Sequence, residues 1–426
     1  MIFNSTELFV ARRMAMVADG SAARRTVVQR VATVAVALSL AVMIITLAVI
    51  FGFKREVHHK LTALSGSVVV ATSRGVSTSP SDRLLGDEVV ESLIGEAAEA
   101  VGARVENIAT VAWRTAVVRG AELVDGVVLK GVDDSYDMRL FADGLVAGEL
   151  PSFGVGNGSL RDVVVSQELV DDLGLELGGR LELLLSQGDD GSMRRDLYRV
   201  GAIYAAGLGG AERGVVVADI ANLRRLNGWS QGEISGYEVS INDLNLAPDV
   251  ARQINRKLIY SDHRAADNAA AFAVQQLTPS VFDWLAAHDV NGVVVVAIML
   301  VVAIFNVVTA LLIMVMERSR MVGTLKALGM STGAIGRVFV IRAMSITSRG
   351  MVWGNGVGLG LCWLQWRFEL LRLDESGYML SSVPVEVNVC WWLIINTLMG
   401  VVVLVSTLLP ARMVGAIEPH KAIKFQ

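Results

Sequence analysis

Four long apolar runs interrupt a sequence that is otherwise of mixed polarity. Each run has about 20 residues or more, which is the length that an α-helix needs to cross the hydrocarbon core of a bilayer. The hydropathy pattern therefore predicts an α-helical membrane protein with four transmembrane helices. These helices are expected at residues 31–53, 290–316, 338–364 and 389–409.

A long polar region separates the first two apolar runs. Between residues 54 and 289, segments predicted as strands, such as 105–108 and 215–218, alternate with segments predicted as helices, such as 82–101, with Gly and Asp between the strands. This mixture predicts a large α+β domain outside the membrane, built as one lobe or as two. The end of the region, 265–289, is interpreted as a stalk helix that runs unbroken into the second span.

Charge is distributed unevenly along the chain. The net charge is only −4, but residues 54–289 contain 34 acidic and 22 basic side chains. Three short segments, 1–30, 317–337 and 410–426, together contain 12 basic and four acidic side chains. Basic loops stay on the cytoplasmic side, so these three segments and both termini are predicted to be cytoplasmic. The domain at 54–289 and the loop at 365–388 are then predicted to be periplasmic.

Composition agrees with a membrane protein that carries a polar domain. The sequence is 53% hydrophobic and 19% charged, with a mean hydropathy of +0.51. Apolar residues from Phe3 to Val17 predict an interfacial helix on the inner leaflet. No small-residue cleavage site follows the first apolar run, so this run is interpreted as an uncleaved anchor.

Motifs for catalysis, metal binding and nucleotide binding are missing from the sequence. Of the five histidines, His58 and His59 are neighbours in a predicted helix and so do not share a face as metal ligands would, and no Gly-x-x-x-x-Gly-Lys-[Ser/Thr] motif occurs. The chain is therefore predicted to be no enzyme, to hold no cofactor or metal, and to bind no nucleic acid. The glycines between Gly350 and Gly360 lie inside an apolar run and predict close packing of helices.

The basic link between the second and third spans is the most informative stretch. Met321, Leu325 and Leu328 recur at helical spacing, Gly329 can end that helix, and Ser331 or Thr332 can cap the next one. One interpretation is an ordinary loop whose arginines reach the membrane surface. The other is a short amphipathic helix that passes force between a cytoplasmic partner and the spans.

This link resembles the coupling segment of permeases of the FtsX, MacB and lipoprotein-releasing type. The likeness rests on the run Leu325-Lys326-Ala327-Leu328-Gly329 and on further motifs in the family's order. Those further motifs are Phe51-Gly52-Phe53, Phe282-Asp283-Trp284-Leu285 with Asn291, Ser382-Val383-Pro384-Val385, and Pro410-Ala411-Arg412 with Glu418-Pro419. The resemblance implies that a separate ATP-hydrolysing subunit contacts this segment. The residues implied are Arg320, Met321, Thr324, Leu325, Lys326 and Leu328.

The resemblance also implies a function and partners. Lipoprotein-releasing permeases pair with a second permease, as a homo- or heterodimer, and with two ATPase subunits that bind the ATP. They extract lipoproteins from the outer leaflet of the inner membrane and pass them to a periplasmic carrier. Two alternatives stay open, a MacB-like exporter of peptides or small molecules and an FtsX-like regulator of a cell-wall hydrolase. The hairpin 186–196 is short and has no proline, unlike the carrier-docking loop of the family.

A seam for the substrate's lipid anchor is predicted between the first and second spans. Flexible and aromatic side chains can pack irregular acyl chains. The alternative is that the same face packs on a neighbouring helix. The predicted seam residues are Met43, Leu47, Ile50, Phe51 and Phe53 on the first span, and Val294, Ile298 and Val301 on the second. Arg349, in the third span, is expected either to face a polar seam or a lipid headgroup, or, if the span starts later, to reach the inner surface.

Overall fold

The computed structural model of the chain describes residues 22–120, 123–154, 161–187, 192–207, 212–373 and 382–413. Its helices are α1 (Ala22–Ser65), α2 (Glu88–Ala100), α3 (Arg139–Asp143), α4 (Gln167–Leu173), α5 (Ile220–Asn227), α6 (Ala247–Ile259), α7 (Val274–Leu277), α8 (Pro279–Glu317), α9 (Ser319–Ala327), α10 (Thr332–Phe368) and α11 (Val389–Met413). Its strands are β1 (Val68–Thr72), β2 (Leu84–Leu85), β3 (Val105–Arg119), β4 (Val124–Val132), β5 (Leu145–Gly148), β6 (Asp162–Ser166), β7 (Arg180–Gln187), β8 (Ser192–Tyr204), β9 (Val215–Asp219), β10 (Glu233–Ile234), β11 (Gly236–Ile241) and β12 (Ala269–Ala273).

The described residues fall into two compact units. The helical unit contains the residues up to Lys54, the segment Leu285–Arg372 and the residues from Ser382 onward, and the α+β unit contains Arg55–Trp284. The predicted interfacial helix near the N-terminus and the Glu418-Pro419 motif lie outside the described residues, as does the tip of the 186–196 hairpin.

A mostly antiparallel sheet organises the α+β unit, which confirms the predicted class of this domain. The strand order is β12-β1-β11-β3-β4-β9-β6-β8-β5, and β7 pairs with both β3 and β8. Only the β4–β9 and β6–β8 pairs in the described sheet are parallel. Successive side chains of a strand point to opposite faces, so Val68 and Val70 enter one apolar core while Val69 and Ala71 enter a second one.

Local signals in the sequence explain where the helices of this unit begin and end. Asp87 accepts a hydrogen bond from Val89 N at 2.8 Å ahead of α2, and Asp219 does the same for Ala221 N at 2.8 Å ahead of α5. Gly228 then ends α5 in the left-handed conformation, with φ of 68°. These caps place the helices directly after the strands that precede them.

Three glycines bring α10 against α1 in the helical unit. A Cβ atom added at Gly350 would lie 2.8 Å from Val36 Cβ, and one added at Gly354 would lie 2.7 Å from Ala37 O. Gly358 faces Ala41 in the same way, whereas Gly356 and Gly360 face open space. The prediction that small residues allow close helix packing is confirmed for the three glycines spaced four residues apart.

Polar side chains join α10 to α11. Asn355 Nδ2 donates to Asn396 Oδ1 at 2.7 Å, and the indole Nε1 of Trp392 donates to Asn355 Oδ1 at 2.6 Å. Hydrogen bonds of this kind hold helices together where no water competes. Each asparagine also bonds the backbone of its own helix, so the network fixes the rotation of both helices.

Within the described part of the chain, three helices are long and apolar enough to cross a membrane. They are the parts of α1 and α8 that contain the first two predicted spans, and the part of α11 from Val389 to Thr407. The exact count of four spans is therefore not established by length and composition. The helix α10 has 37 residues but contains Arg342 and Arg349 within the predicted third span, and these charges lower its hydropathy.

The predicted stalk helix over 265–289 is wrong in its first part. Residues Ala269–Ala273 form the edge strand β12, which pairs with β1 from Val68↔Ala273 to Thr72↔Ala269. Helix α8 begins only at Pro279. The helical extension that sequence reasoning missed belongs to α1, which continues past residue 53 to Ser65.

Candidate coupling and lipid-contact surfaces

The basic link between the predicted second and third spans forms the helix α9, as its periodicity predicts. Gly329, with φ of 89°, follows this helix, and the Ser331 hydroxyl accepts a hydrogen bond from Ala334 N at 3.3 Å to cap α10. Both predicted boundary signals are therefore confirmed. The nine-residue helix is held at both ends by the long helices α8 and α10.

Only part of the predicted apolar face of α9 is accessible. Val322 is buried in a small core with Met314 and Phe339, and Leu325 packs against the same core. Leu328, in contrast, is 79% exposed, and Thr324 is exposed as well. Of the other predicted coupling residues, Met321 and Lys326 are half-buried, and the side chain of Arg320 lies outside the described part.

The predicted seam residues of the first span point in different directions. Met43 is fully buried in the helical core that also contains Ala303 and Val307. Ile50 packs directly on Gly292 of α8. The ring of Phe53 stacks on His288, with 6.0 Å between the ring centroids. Ile50 and Phe53 thus lie in the contact between α1 and α8, and Met43 is enclosed by the helical core.

An ion pair closes the same contact at its polar end. Lys54 Nζ lies 2.9 Å from Asp289 Oδ2, and both side chains are more than one third exposed. Exposed pairs of this kind contribute about 0–1 kcal/mol at most. The helices α1 and α8 are thus held together here mainly by packing.

Leu47 and Phe51 face α11 instead of α8. The Phe51 ring lies 5.7 Å from the Trp391 ring, and Leu47 helps to line a narrow apolar crevice between α1 and α11. The backbone closes one side of this crevice, because Glu386 N donates to Ala48 O at 2.9 Å.

The predicted seam residues of the second span do share one surface. Val294, Ile298 and Val301 are 50%, 51% and 49% exposed, at the i, i+4, i+7 spacing of one helix face. The structure therefore does not bring the two halves of the predicted seam together within one chain. Packing on a neighbouring helix, the alternative, describes Met43 and Ile50 better.

A buried charge cluster lies where α1 meets the sheet of the α+β unit. Lys130 Nζ is 2.7 Å from Glu238 Oε2, and the exposed fractions of the two side chains are 4% and 5%. Burial lowers the pKa of Lys130 and raises the pKa of Glu238, while their mutual attraction acts against both shifts. Burial also raises the pKa of Tyr136 well above its ordinary value, so its hydroxyl stays protonated.

Sequence reasoning missed this cluster, although a signal was present. On β4, Lys130 lies between the apolar residues Val128 and Val132 on the same face of the strand. On β11, Glu238 lies between Tyr237 and Val239 in the sequence. A lone charge at an inward position of a strand predicts a buried partner, because an unpaired charge is very costly there. Sequence alone does not say which distant residue supplies that partner.

Comparison with known proteins identifies the class. The MacB-like periplasmic core domain matches residues 31–257, which is more than half of the chain, and the FtsX-like permease C-terminal region matches residues 293–419. The chain therefore belongs to the family defined by the MacB-like periplasmic core domain, and it is an inner-membrane permease of the FtsX/MacB type with a periplasmic domain.

Relatives with curated names extend along almost the whole chain. The lipoprotein-releasing system transmembrane protein LolC of Xylella fastidiosa is 22% identical over 409 residues, covering 92% of each chain. LolC of Haemophilus influenzae is 22% identical over 408 residues, covering 94% of each chain. The extracellular domain of the noncanonic ABC-type transporter YknZ is 14% identical, covers 48% of this chain and 98% of its own, and has a TM-score of 0.30. The resemblance to lipoprotein-releasing permeases is confirmed.

Proposed function

We propose that this chain is the permease subunit of an ABC transporter that extracts lipoproteins from the outer leaflet of the inner membrane for a periplasmic carrier. The observation that carries the proposal is the match to LolC proteins along both the periplasmic domain and the helical part. A separate subunit binds and hydrolyses ATP, and a second permease, identical or different, completes the transporter. The chain itself contributes movement and binding surfaces rather than catalysis.

The proposed contact with the ATPase is the exposed side of α9 together with Leu328, the residue that caps its C-terminal end. Thr324 and Leu328 lie four residues apart and are exposed together, whereas Val322 and Leu325 hold the helix on the core of the spans. One side of α9 is therefore packed against the core of the spans, and the opposite side is accessible to a partner protein. Arg320, Met321 and Lys326 belong to the same proposed contact. Movement of the ATPase would then reach α8 and α10 directly.

The proposed lipid contact is the exposed stripe of α8. Val294, Ile298 and Val301 present an apolar surface about 10 Å long, using about 1.5 Å per residue. The matching positions of α1 are occupied by packing within this chain, so the second permease supplies the opposite wall. The lipid anchor would lie between the two chains.

Reconstitution of the transporter tests the proposal. The chain is purified with its ATPase and second permease in liposomes that contain an acylated lipoprotein, and a photo-crosslinking residue is placed at Ile298 or at Met43. We expect ATP to transfer the lipoprotein to the soluble carrier. We also expect crosslinks to the lipoprotein from Ile298 and none from Met43, which is buried.

Two results would contradict the proposal. One is that no lipoprotein leaves the membrane although ATP is hydrolysed. The other is that a cell-wall hydrolase co-purifies with the periplasmic domain in place of lipoprotein, which would favour the FtsX-like alternative.

A further inference from the structure

Polar groups, and not apolar packing alone, fasten the end of α1 to the sheet of the α+β unit. Lys130 Nζ donates to Leu64 O at 2.6 Å, and the Tyr136 hydroxyl lies 3.2 Å from Ala63 O. The last carbonyl groups of a helix have no partner inside the helix, and a cation is favoured at that end by the helix dipole. These two side chains therefore complete the last turn of α1.

The fastening groups are themselves fixed in place. Lys130 Nζ also donates to Glu238 Oε2 at 2.7 Å and to the Tyr136 hydroxyl at 2.8 Å. Because a buried ammonium group is tolerated only when it is paired and fully hydrogen-bonded, this arrangement has little freedom to change. The strands β4 and β11, which carry Lys130 and Glu238, thus hold the helix end at one position.

One turn earlier, a second link joins α1 to the same unit. Lys60 Nζ donates to Gly207 O at 3.2 Å. The carboxylate of Glu212, which is 2% exposed, accepts hydrogen bonds from Ala206 N at 2.7 Å and from Gly207 N at 3.1 Å. The backbone at Gly207, which accepts the hydrogen bond from Lys60, is therefore fixed as well.

The return connection from the sheet to α8 is built differently. Strand β12 leads to α7, which has four residues, and Thr278 then takes φ and ψ values of −127° and 59°, outside the helical region. Helix α8 starts at Pro279, which has no backbone N–H to continue a helical hydrogen-bond ladder. On the α1 side the helix is thus unbroken and its end is fastened to the sheet. On the α8 side the non-helical residue Thr278 separates the helix from the sheet.

We infer that Lys130 is a positioning residue that, with Glu238 and Tyr136, makes the end of α1 and the central strands move as one body. Because of the break at Thr278–Pro279, no continuous helix leads from β12 into α8, whose first turns pack on α1 through the His58–Phe282 and Phe53–His288 ring contacts. The inference rests on the proposed function, in which motion driven by ATP hydrolysis in the cytoplasm must reach the periplasmic domain. It assigns that delivery to α1 and not to α8.

Matched variants of the full transporter test this assignment. The double variant Lys130→Met with Glu238→Gln removes both charges, keeps similar side-chain volumes and leaves no unpaired buried charge. The single variant Tyr136→Phe removes only a hydroxyl group, so it keeps the test open if the double variant fails to fold. The control is Arg195→Met with Glu182→Gln, which removes a pair 2.7 Å apart on β8 and β7 of the same sheet.

The first readout is a distance that a merely structural role would not change. Spin labels are attached at His59→Cys on α1 and Val124→Cys on β4, both exposed, after replacement of Cys362 and Cys390. In the parent and in the control we expect one narrow distance distribution, both without nucleotide and with ATP hydrolysis trapped. In the double variant and in Tyr136→Phe we expect a broader distribution.

The second readout is lipoprotein released per ATP hydrolysed. We expect the double variant to lose about two- to thirtyfold, the range of a modest coupling free energy, with ATP hydrolysis unchanged. A narrow distribution in the double variant, or an equal loss of release in the control, would overturn the inference. If even the parent releases no lipoprotein, the proposed function fails, and the distance distributions alone then decide the role of Lys130.

Discussion

Leu325 and Leu328 show how two residues of one periodic pattern take different roles. Helical spacing predicts that they share the apolar side of α9, and in the structure Leu325 faces the core while Leu328 is 79% exposed. The predicted stripe is wider than the surface that the spans cover. Sequence alone gives the helix and its boundaries, but the covered side depends on how α8 and α10 pack beneath it.

Replacing Leu328 by Asp should separate ATPase binding from folding. An unpaired charge in the centre of a protein contact costs at least about 2 kcal/mol, or about thirtyfold in affinity. We expect co-purification of the ATPase to fall while the permease is still inserted and folded. In Leu325→Asp the charge enters the packed core, so the amount of folded permease should fall first. Equal ATPase recovery from Leu328→Asp and the parent would contradict the proposed contact.

Asp196 is a nearly buried carboxylate that depends on two arginines. Arg225 Nη2 lies 2.7 Å from one of its oxygens and Arg161 Nη1 lies 3.3 Å from the other. Burial alone raises the pKa of Asp196, but the hydrogen bond and charge of Arg225, together with Arg161, outweigh it and lower the pKa below 3.8. The contacts of Asp196 with the two arginines therefore stabilise the fold at pH values above 3.8, the ordinary pKa of an aspartate. This stabilisation is lost as the pH falls through the lower pKa of Asp196 in the folded state.

Replacement of Arg225 by Met should destabilise the protein in a pH-dependent way. The parent should unfold at a higher temperature than Arg225→Met at pH 7, and the difference should shrink as the pH falls through the lowered folded-state pKa of Asp196, where the parent also loses the stabilisation. Thermal unfolding followed by circular dichroism measures both values. The control is Arg252→Met, whose partner Asp249 is exposed, and it should show little difference at either pH. A gap that stays constant with pH would exclude this role of Asp196.

At the scale of elements, the sequence predicts a helix or strand correctly where apolar residues recur with the period of that element. It fails where the pairing of one strand with another determines the conformation. The apolar runs give the long helices, and the β-branched runs give strands such as β6 and β9. The alanine-rich stretch Ala269–Ala273 favours helix by propensity, yet it is a strand because β1 offers an unpaired edge. Helix α1 continues beyond its apolar run to Ser65, and its last turn is hydrogen-bonded to the sheet through Lys130.

The glycines of α10 offer a comparison between near-identical substitutions. Gly354→Ala should destabilise the helical unit, by about 1–3 kcal/mol, because its Cβ atom would meet the backbone of Ala37. Gly356→Ala points into open space and should be neutral or stabilising, by up to about 1 kcal/mol, because Ala is the better helix former. Detergent-induced unfolding of the purified protein measures both. Equal effects of the two substitutions would refute the close packing of α1 and α10.

At the scale of the whole molecule, the number of membrane crossings decides on which side the start of α11 lies. Cys390 is exposed near that end, and Cys362 is buried in α10. In the proposed four-span topology α10 crosses the membrane and Cys390 is periplasmic, whereas three spans would place it in the cytoplasm. A membrane-impermeant maleimide added to spheroplasts should therefore label the parent but not Cys390→Ser. Labelling only after the membrane is opened would refute the third crossing.

The contacts of α10 also bear on how the protein is made. If α10 crosses the membrane as proposed, its arginines make it a poor candidate for insertion alone, but α1 is already in the bilayer when α10 leaves the ribosome. The surface of α1 that receives Gly350, Gly354 and Gly358 can accept α10 at once. The hydrogen bonds from Asn355 to Asn396 must wait until α11 is synthesised. The first span would thus act as an intramembrane chaperone for the third. The last span would then hold the third span in place through the hydrogen bond between Asn355 and Asn396.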